Sequence, residues 1–352
     1  MGEFMNIDYI IVGQGLAGSA VAFRLLQAGH SILVIDQGKQ ITSSKIAAGI
    51  INPITGRNYV SSWRFKDLVP SVLDFYASME SLLGGKYLHK RPIYRALYHQ
   101  SEVDNWLRAG RNPEKMDFID GIEDHSEFDE MIYPALSYGM VRDSYQVDTT
   151  SLVEDFGKYL LNHQLLLATK FEYDKMEILP GFVRYEGYDA KGIIFCEGIN
   201  SKENPYFQHL PLTGSKGQVL IVKIPGQSPE AILKSKLFIV PLGDEFFWIG
   251  GNYQNQYQDD LPDELVKLSM LEILTQIVRV PFTVVDHFAA IRPTVIDRRP
   301  LIGRHPDYDL LYLFNGMGTK GASLIPFWSE RFVDFLLNDS PLHPEVDIRR
   351  FA

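Results

Sequence analysis

The chain has 352 residues, 45% hydrophobic and 22% charged, and a formal net charge of −10. That is ordinary globular composition for about two domains, and it excludes disordered, fibrous and collagen-like chains. The acidic balance and the lack of a Lys/Arg-rich run argue against nucleic acid as a partner, because gripping phosphates needs a positive surface.

Asp8–Val12 is a short β-branched apolar run, the pattern of a buried strand. Leu16–Ala28 has apolar residues at helical spacing and stops at Gly29, a C-cap residue. Ser31–Ile35, closed by Asp36, completes a βαβ unit. Leu68–Leu83 reads as an amphipathic helix ended by Gly84 and Gly85. Residues 86–145 read as short strands, turns and acidic loops. Thr149–Leu161 is a second amphipathic helix. Strands are expected at Leu165–Leu167, Phe171–Ile178, Phe182–Tyr188 and Gly192–Phe195, then at Val219–Ile224, Leu237–Leu242 and Phe246–Gly250. A helix is expected over Asp263–Arg279, a buried strand at Leu310–Phe314 and a last helix over Ala322–Leu337. There is no internal repeat. With βαβ first and strand, glycine turn and helix last, the sheet-rich middle reads as a second domain inserted into the first.

Met1–Phe4 reads as an expression scar, with the native chain starting at Met5. No apolar run approaches the ~20 residues of a membrane span, and no secretory signal is visible. The single cysteine, Cys196, excludes an internal disulfide and a multi-Cys metal site. The expected location is cytoplasmic. His89, His99, His125 and His209 are scattered without ligand spacing, so no metal is expected. No G-x-S-x-G occurs, which leaves a serine hydrolase unsupported.

Gly13-Gln-Gly15-Leu-Ala-Gly18 matches G-x-G-x-x-G between a predicted strand and a predicted helix, the context that a dinucleotide fingerprint requires. Gly13 allows the tight turn, Gly15 lets the backbone approach a diphosphate, and Gly18 lets helix and strand pack closely. The helix start at Leu16–Gly18 attracts the diphosphate through its free N–H groups and dipole. Asp36 ends the second strand, where a carboxylate accepts ribose hydroxyls. This motif does not distinguish FAD from NAD. A nicotinamide dehydrogenase usually continues βαβαβ, whereas here Thr42–Pro53 follows, with Ala47, Ala48 and Gly49 small enough for backbone to lie against a flat ring. Near the other end, Ile291–Gly303 precedes a strand and then Asn315-Gly-Met-Gly-Thr-Lys-Gly321 and a helix. That helix start would stabilise negative charge on a reduced flavin.

On these landmarks the chain resembles the FAD-dependent oxidoreductases of the D-amino-acid oxidase, glycine oxidase and sarcosine oxidase family. The landmarks are G-x-G-x-x-G with Asp36, the R-P-x-x-x-D-x-x-P-x-I-G stretch from Arg292, and the glycine turn before the last helix. The resemblance implies an α/β fold: a Rossmann-like FAD-binding domain from 5–72, 141–212 and 286–352, and a discontinuous antiparallel-sheet substrate domain from 73–140 and 213–285. It implies noncovalent FAD, since Cys196 sits in an apolar run away from any attachment site. It also implies oxidation of a C–N bond beside a carboxylate by hydride transfer to flavin N5. The residues expected to hold the cofactor are Gly13, Gly15, Leu16, Ala17, Gly18, Asp36, Gln37, Ser44, Ala47, Ala48, Gly49, Ile50, Phe171, Gly198, Gly316, Met317, Gly318, Thr319 and Lys320.

For the substrate, Arg292 matches the family's carboxylate-pairing Arg, and Lys320 resembles a carboxylate-binding Lys of sarcosine oxidase. Arg57 and Tyr253 are further candidates for the pocket wall. Sarcosine oxidase has a Lys over the flavin where this chain has Trp248, which leaves oxygen or another acceptor open. The resemblance extends to the FAD half of a bifunctional tRNA-modifying enzyme that oxidises a carboxymethylamino group, so that activity is one alternative. A non-catalytic flavin-binding protein is another. An aromatic hydroxylase would show Gly-Asp-Ala-Ala-His, absent here.

Overall fold

A computed structural model describes residues 4–351; Met1–Glu3, most of the stretch read as a scar, lie outside the described residues. Among the described residues there are six α-helices: α1 (Leu16–Gln27), α2 (Phe65–Leu83), α3 (Gln100–Gly110), α4 (Thr149–Asn162), α5 (Glu264–Thr275) and α6 (Gly321–Asn338). Two eight-stranded sheets organise the chain.

In the first sheet, Leu166–Leu167, Ile32–Ile35, Met5–Val12, Tyr188–Phe195 and Leu311–Asn315 run parallel, and Leu301–Arg304 adds an antiparallel edge. The Tyr188–Phe195 strand is forked. Its first residues pair antiparallel with Phe182–Tyr185, and Ile193–Phe195 pair parallel with Leu311–Leu313. Side chains alternate across this sheet. Ile11, Val34, Ile194 and Phe314 enter a core shared with α1, α2, α4 and α6, while Ile10, Leu33, Ile193 and Leu313 enter a core on the opposite face. Burial of both faces explains why these strands read as continuous apolar runs.

α1 ends as its sequence forecasts. Gly29 has φ +81°, and the Gly29 and His30 N–H groups donate to the Leu26 and Leu25 carbonyls, a Schellman closure. Asp148 caps α4 by accepting from the Ser151 N–H at 3.0 Å.

The second sheet has the order 283–292, 215–223, 246–250, 238–243, 232–234, 93–97, 137–141, 119–123, antiparallel except for one parallel pair. α5 covers one face, burying Leu220, Ile249, Met270 and Leu274. The other face joins the helical core through Val219, Val240 and Trp248. The two sheets therefore meet across a gap bounded by the carboxyl ends of the parallel strands and by this inner face.

Some expectations differ from the structure. Phe171–Ile178 is not one strand: a 3-10 turn at Tyr173–Lys175 precedes a short Glu177–Leu179 strand. Its aromatic content reflects packing, with Phe171 stacked on Tyr185 at 4.4 Å. α3 lies where loops are expected, because only Val103, Trp106 and Ala109 of a polar segment turn inward. α5 stops at Thr275 rather than Arg279; Ile277 and Val278 are drawn into the core instead. The Thr283–Arg292 strand is not among the expected elements, and the expected boundary between 285 and 286 falls inside it.

Candidate active site

A cleft of about 2260 Å³ occupies the gap between the sheets, well above the ~300–1,000 Å³ of a drug-sized pocket. One wall is mostly backbone. The parallel strands ending at Val12, Ile35, Phe195 and Asn315 deliver Gly13, Asp36, Gly198 and Gly316 to a single edge. This is where open α/β sheets bind ligands.

The first glycine turn is tight enough to fix two of its three glycines. A methyl at position 18 would lie 1.8 Å from the Gly13 carbonyl oxygen, and one at position 13 would lie 2.6 Å from the Cys196 oxygen. Gly13 also has φ +101°. Ser44 Oγ accepts from the Leu16 N–H at 3.0 Å, which caps α1 from a distant loop. Asp36 accepts from the Gln14 N–H at 2.8 Å and from the Gly38 N–H at 2.7 Å, one bond to each oxygen. The carboxylate is thus held in place beside the cleft with lone pairs to spare.

The Ser44–Ile50 stretch is pinned from behind. Thr149 Oγ1 donates to the Ala47 oxygen at 3.3 Å, Thr150 Oγ1 donates to Lys45, and the Trp248 indole N–H donates to the Ile46 oxygen at 2.8 Å. Gly49 (φ +66°) passes so close to Val147 that a methyl would sit 1.9 Å from its oxygen. A small-residue loop held this way presents backbone to the cleft.

The second glycine turn packs on the Arg292-Pro293-Thr294 segment. The Gly318 N–H donates to the Pro293 oxygen at 3.0 Å. A methyl at Gly316 would lie 2.7 Å from Val295 Cγ2. Asn315 Nδ2 ties the turn to the Gly198 oxygen at 2.8 Å and to Ser201 Oγ at 2.7 Å.

The opposite wall is side chains. Arg292 lies over Gly217 of the neighbouring strand, where a methyl would stand 2.0 Å from Nη2, so that glycine makes the slot for the guanidinium. Nη1 donates to the Asn252 oxygen at 3.2 Å, and the guanidinium lies 5.0 Å from the Tyr253 ring centroid. Burial lowers the Arg292 pKa, and among the described residues no carboxylate pairs with it. Lys320 Nζ donates to Ser62 Oγ at 3.3 Å. Burial lowers its pKa first, then Arg299 and Arg298.

Every expected cofactor residue lines the cleft except Gly18, which lies beneath the turn as a packing residue. Arg292, Lys320 and Tyr253 also line it. Arg57 does not: it is exposed outside the lining, because the tight turn at Gly56 (φ +72°) leads the chain away. Residues missed in the sequence include Gly217, Ser62 and Glu197. Glu197 is half-buried just past the end of the forked strand and accepts from Tyr173 and, at 2.8 Å, from Asn204 Nδ2. Burial pushes its carboxyl up, against those hydrogen bonds. Among the described residues, no group of three or more His, Cys, Asp or Glu is placed to hold a metal ion, and no helix is long and apolar enough to cross a membrane.

Two glycine turns at one edge of a mostly parallel sheet, with a fixed carboxylate on the strand beside the first turn and a facing antiparallel sheet, define a two-layer dinucleotide-binding protein. The chain belongs to the DAO family of FAD-dependent oxidoreductases, whose profile matches residues 8–334. It is 23% identical to a glycine oxidase of Pseudomonas putida over 96% of each chain. Its fold is similar to that of a Bacillus cereus glycine oxidase (TM-score 0.79, 18% identity, 95% and 96% of the two chains). It is also similar to that of an iminodiacetate oxidase from Chelativorans sp. (TM-score 0.78, 15% identity, 96% and 98%). The protein is thus an oxidoreductase, and FAD is its cofactor.

Proposed function

We propose that this enzyme oxidises the C–N bond of an amino acid or a related carboxylate-bearing amine. The observation that carries this reading is the Arg292 guanidinium, sunk in the slot above Gly217 with no carboxylate partner among the described residues. A buried cation without an anion is costly, and a substrate carboxylate supplies the bidentate partner. The names of the relatives, glycine oxidase and iminodiacetate oxidase, agree with a small carboxylate-bearing amine.

The residues present fit FAD. The crowded glycines leave backbone N–H groups at the start of α1 for a diphosphate, Asp36 is fixed for ribose hydroxyls, and the pinned Ala47–Ile50 backbone and the start of α6 flank the place for the ring. We assign noncovalent binding, since Cys196 is buried beneath the first turn. FAD supplies the two-electron acceptor for the hydride leaving the carbon beside the amine. The chain supplies the rest. Arg292 anchors and orients the substrate, with Tyr253 against its guanidinium. Trp248, Phe238 and Val219 present apolar surface that keeps water away. Lys320, with its ammonium disfavoured by burial and by two arginines, offers a second contact for an anionic group.

The test is a visible spectrum followed by anaerobic titration. The purified protein is expected to be yellow, with about one FAD per chain released by acid. Some member of a panel of glycine, sarcosine, proline and D-amino acids should bleach it. A flavoprotein that no carboxylate-bearing amine reduces would overturn the reading.

A further inference from the structure

Arg57, expected in the pocket wall, belongs to a different group of charges. Lys234 and Arg95 cluster beyond the far end of the cleft floor, with Arg57 on the adjoining surface turn, next to the Gly56 that Arg95 holds. Lys234 pairs across the sheet with Arg95 on one side and Phe238 on the other, so all three side chains leave the same face. That is the face that carries Val240 and Trp248 toward the cleft.

The cluster is built and lacks an acid. Arg95 stacks on Tyr59 at 4.7 Å and donates to the Gly56 oxygen at 3.1 Å. Gly56 and Thr55 themselves line the cleft. Lys234 Nζ lies 4.4 Å from the Phe238 ring centroid and donates to the Lys236 oxygen at 3.1 Å. Phe238 lines the cleft as well. Among the described residues no carboxylate pairs with Lys234, Arg95 or Arg57. Glu102 acts on Arg95 only from a distance, and one of its oxygens is taken by the Tyr98 and His99 N–H groups. Burial and the two arginines lower Lys234 to about 8. Three cations in a partly dry corner with no counter-ion form a receptor for an oxyanion.

We propose that Lys234, Arg95 and Arg57 bind the remote acidic group, a carboxylate or a phosphate, of an elongated amine substrate whose other carboxylate meets Arg292. This rests on the amine-oxidation reading above. The strand bearing Arg292 and the strand bearing Lys234 lie four steps apart in the sheet, roughly 19 Å at ~4.8 Å per step. Long side chains shorten the span from both ends, and Trp248 and Phe238 form the apolar floor between them. A bare glycine would leave the far cations unused. An amine with a chain ending in an acid would reach past the Phe238 and Gly56 end of the cleft to these cations.

The test uses the holoenzyme and paired N-substituted glycines whose tails end either in a carboxylate or in the matching carboxamide. Binding is read from the perturbation of the flavin spectrum and turnover from anaerobic reduction. For tails long enough to span the floor, the carboxylate member should bind at least tenfold tighter than its carboxamide. Lys234→Met and Arg95→Met should abolish that preference and leave carboxamide binding unchanged. Arg57→Gln, at the surface, should reduce it partly without threatening the fold. Inorganic phosphate should compete with the acid-ended members alone. Equal binding of both members at every tail length would overturn the proposal. So would phosphate binding that is lost in Lys234→Met while the tails bind equally, since the cluster would then serve a free anion. Because binding is read without turnover, failure of every compound to reduce the flavin would overturn the amine-oxidation reading while tail preference still decided the cluster.

Discussion

The two walls of the cleft are made of different material. The wall at the edge of the parallel sheet is backbone, and at Gly13, Gly18 and Gly49 an added side chain would strike a carbonyl. The facing wall is side chains carried on antiparallel strands: Arg292, Trp248 and Phe238. A backbone wall works by proximity and dipoles, which hardly vary with sequence, so it suits a constant ligand. A side-chain wall can be rewritten one residue at a time, so it suits the ligand that distinguishes one enzyme from another.

The comparison predicts unequal responses to small changes. The largest effect is expected for Gly18→Ala, directly beneath the backbone wall, because the added methyl meets the Gly13 oxygen at 1.8 Å and backbone must move. We expect flavin content to fall to near zero and Tm to drop, measured by absorbance per chain and calorimetry. Full flavin content in the Gly18→Ala variant would remove the contrast between the walls.

On the other wall, Arg292→Ala should leave flavin content intact and weaken carboxylate ligands by ~2–5 kcal/mol, the usual loss for a buried charge pair. Gly217→Ala should mimic it more mildly, because the added methyl displaces the far end of a flexible side chain. In the Arg292→Ala background, Gly217→Ala should have no further effect, a coupling that a double-mutant cycle reads directly.

Lys234→Met sharpens the comparison through pH. Lys234 titrates at about 8 against an ordinary 10.5, so the folded state binds its proton more weakly than the unfolded chain. Its destabilisation is full below pH 8, shrinks as pH rises from 8 to 10.5, and is absent above. The variant should therefore be more stable than the wild type at about pH 7, by up to roughly 3 kcal/mol, with the gain vanishing by pH 10.5 in denaturant titrations. Asp36→Ala returns the comparison to the backbone wall, with the change read in FAD affinity. The ribose hydrogen bonds assigned to this carboxylate are worth ~1.5–3 kcal/mol each, and FAD affinity should fall by about that much while the fold persists.

The backbone wall was legible in the sequence because its signals are local. Gly13, Gly15, Gly18 and Asp36 announce a strand, a turn and a helix within a short stretch, and Asn315–Gly321 repeats the signal. The side-chain wall is built from pairings between distant segments. Gly217 has meaning only once Ser215–Lys223 lies beside Thr283–Arg292, and Lys234 only once Ile232–Lys234 lies beside Ile93–Leu97. No spacing rule reveals such neighbours. Arg57 shows the cost of extrapolating a local signal: it follows a loop that does line the cleft, yet the turn at Gly56 carries it to the cation cluster instead. Arg292, which does line the cleft, has a local landmark in the proline beside it and the P-x-I-G that follows.

The forked Tyr188–Phe195 strand has a consequence for how the protein is made. Its carboxyl half finds one neighbour in Met5–Val12, already synthesised, and the other in Leu311–Asn315, more than a hundred residues later. A chain emerging from the ribosome must therefore carry an open, wholly apolar edge at Ile193–Phe195 while most of the second sheet is translated. Unpaired edges of that kind recruit other chains. The fork places a hairpin against the first half of the strand early, which shortens the sticky edge to three residues during the wait.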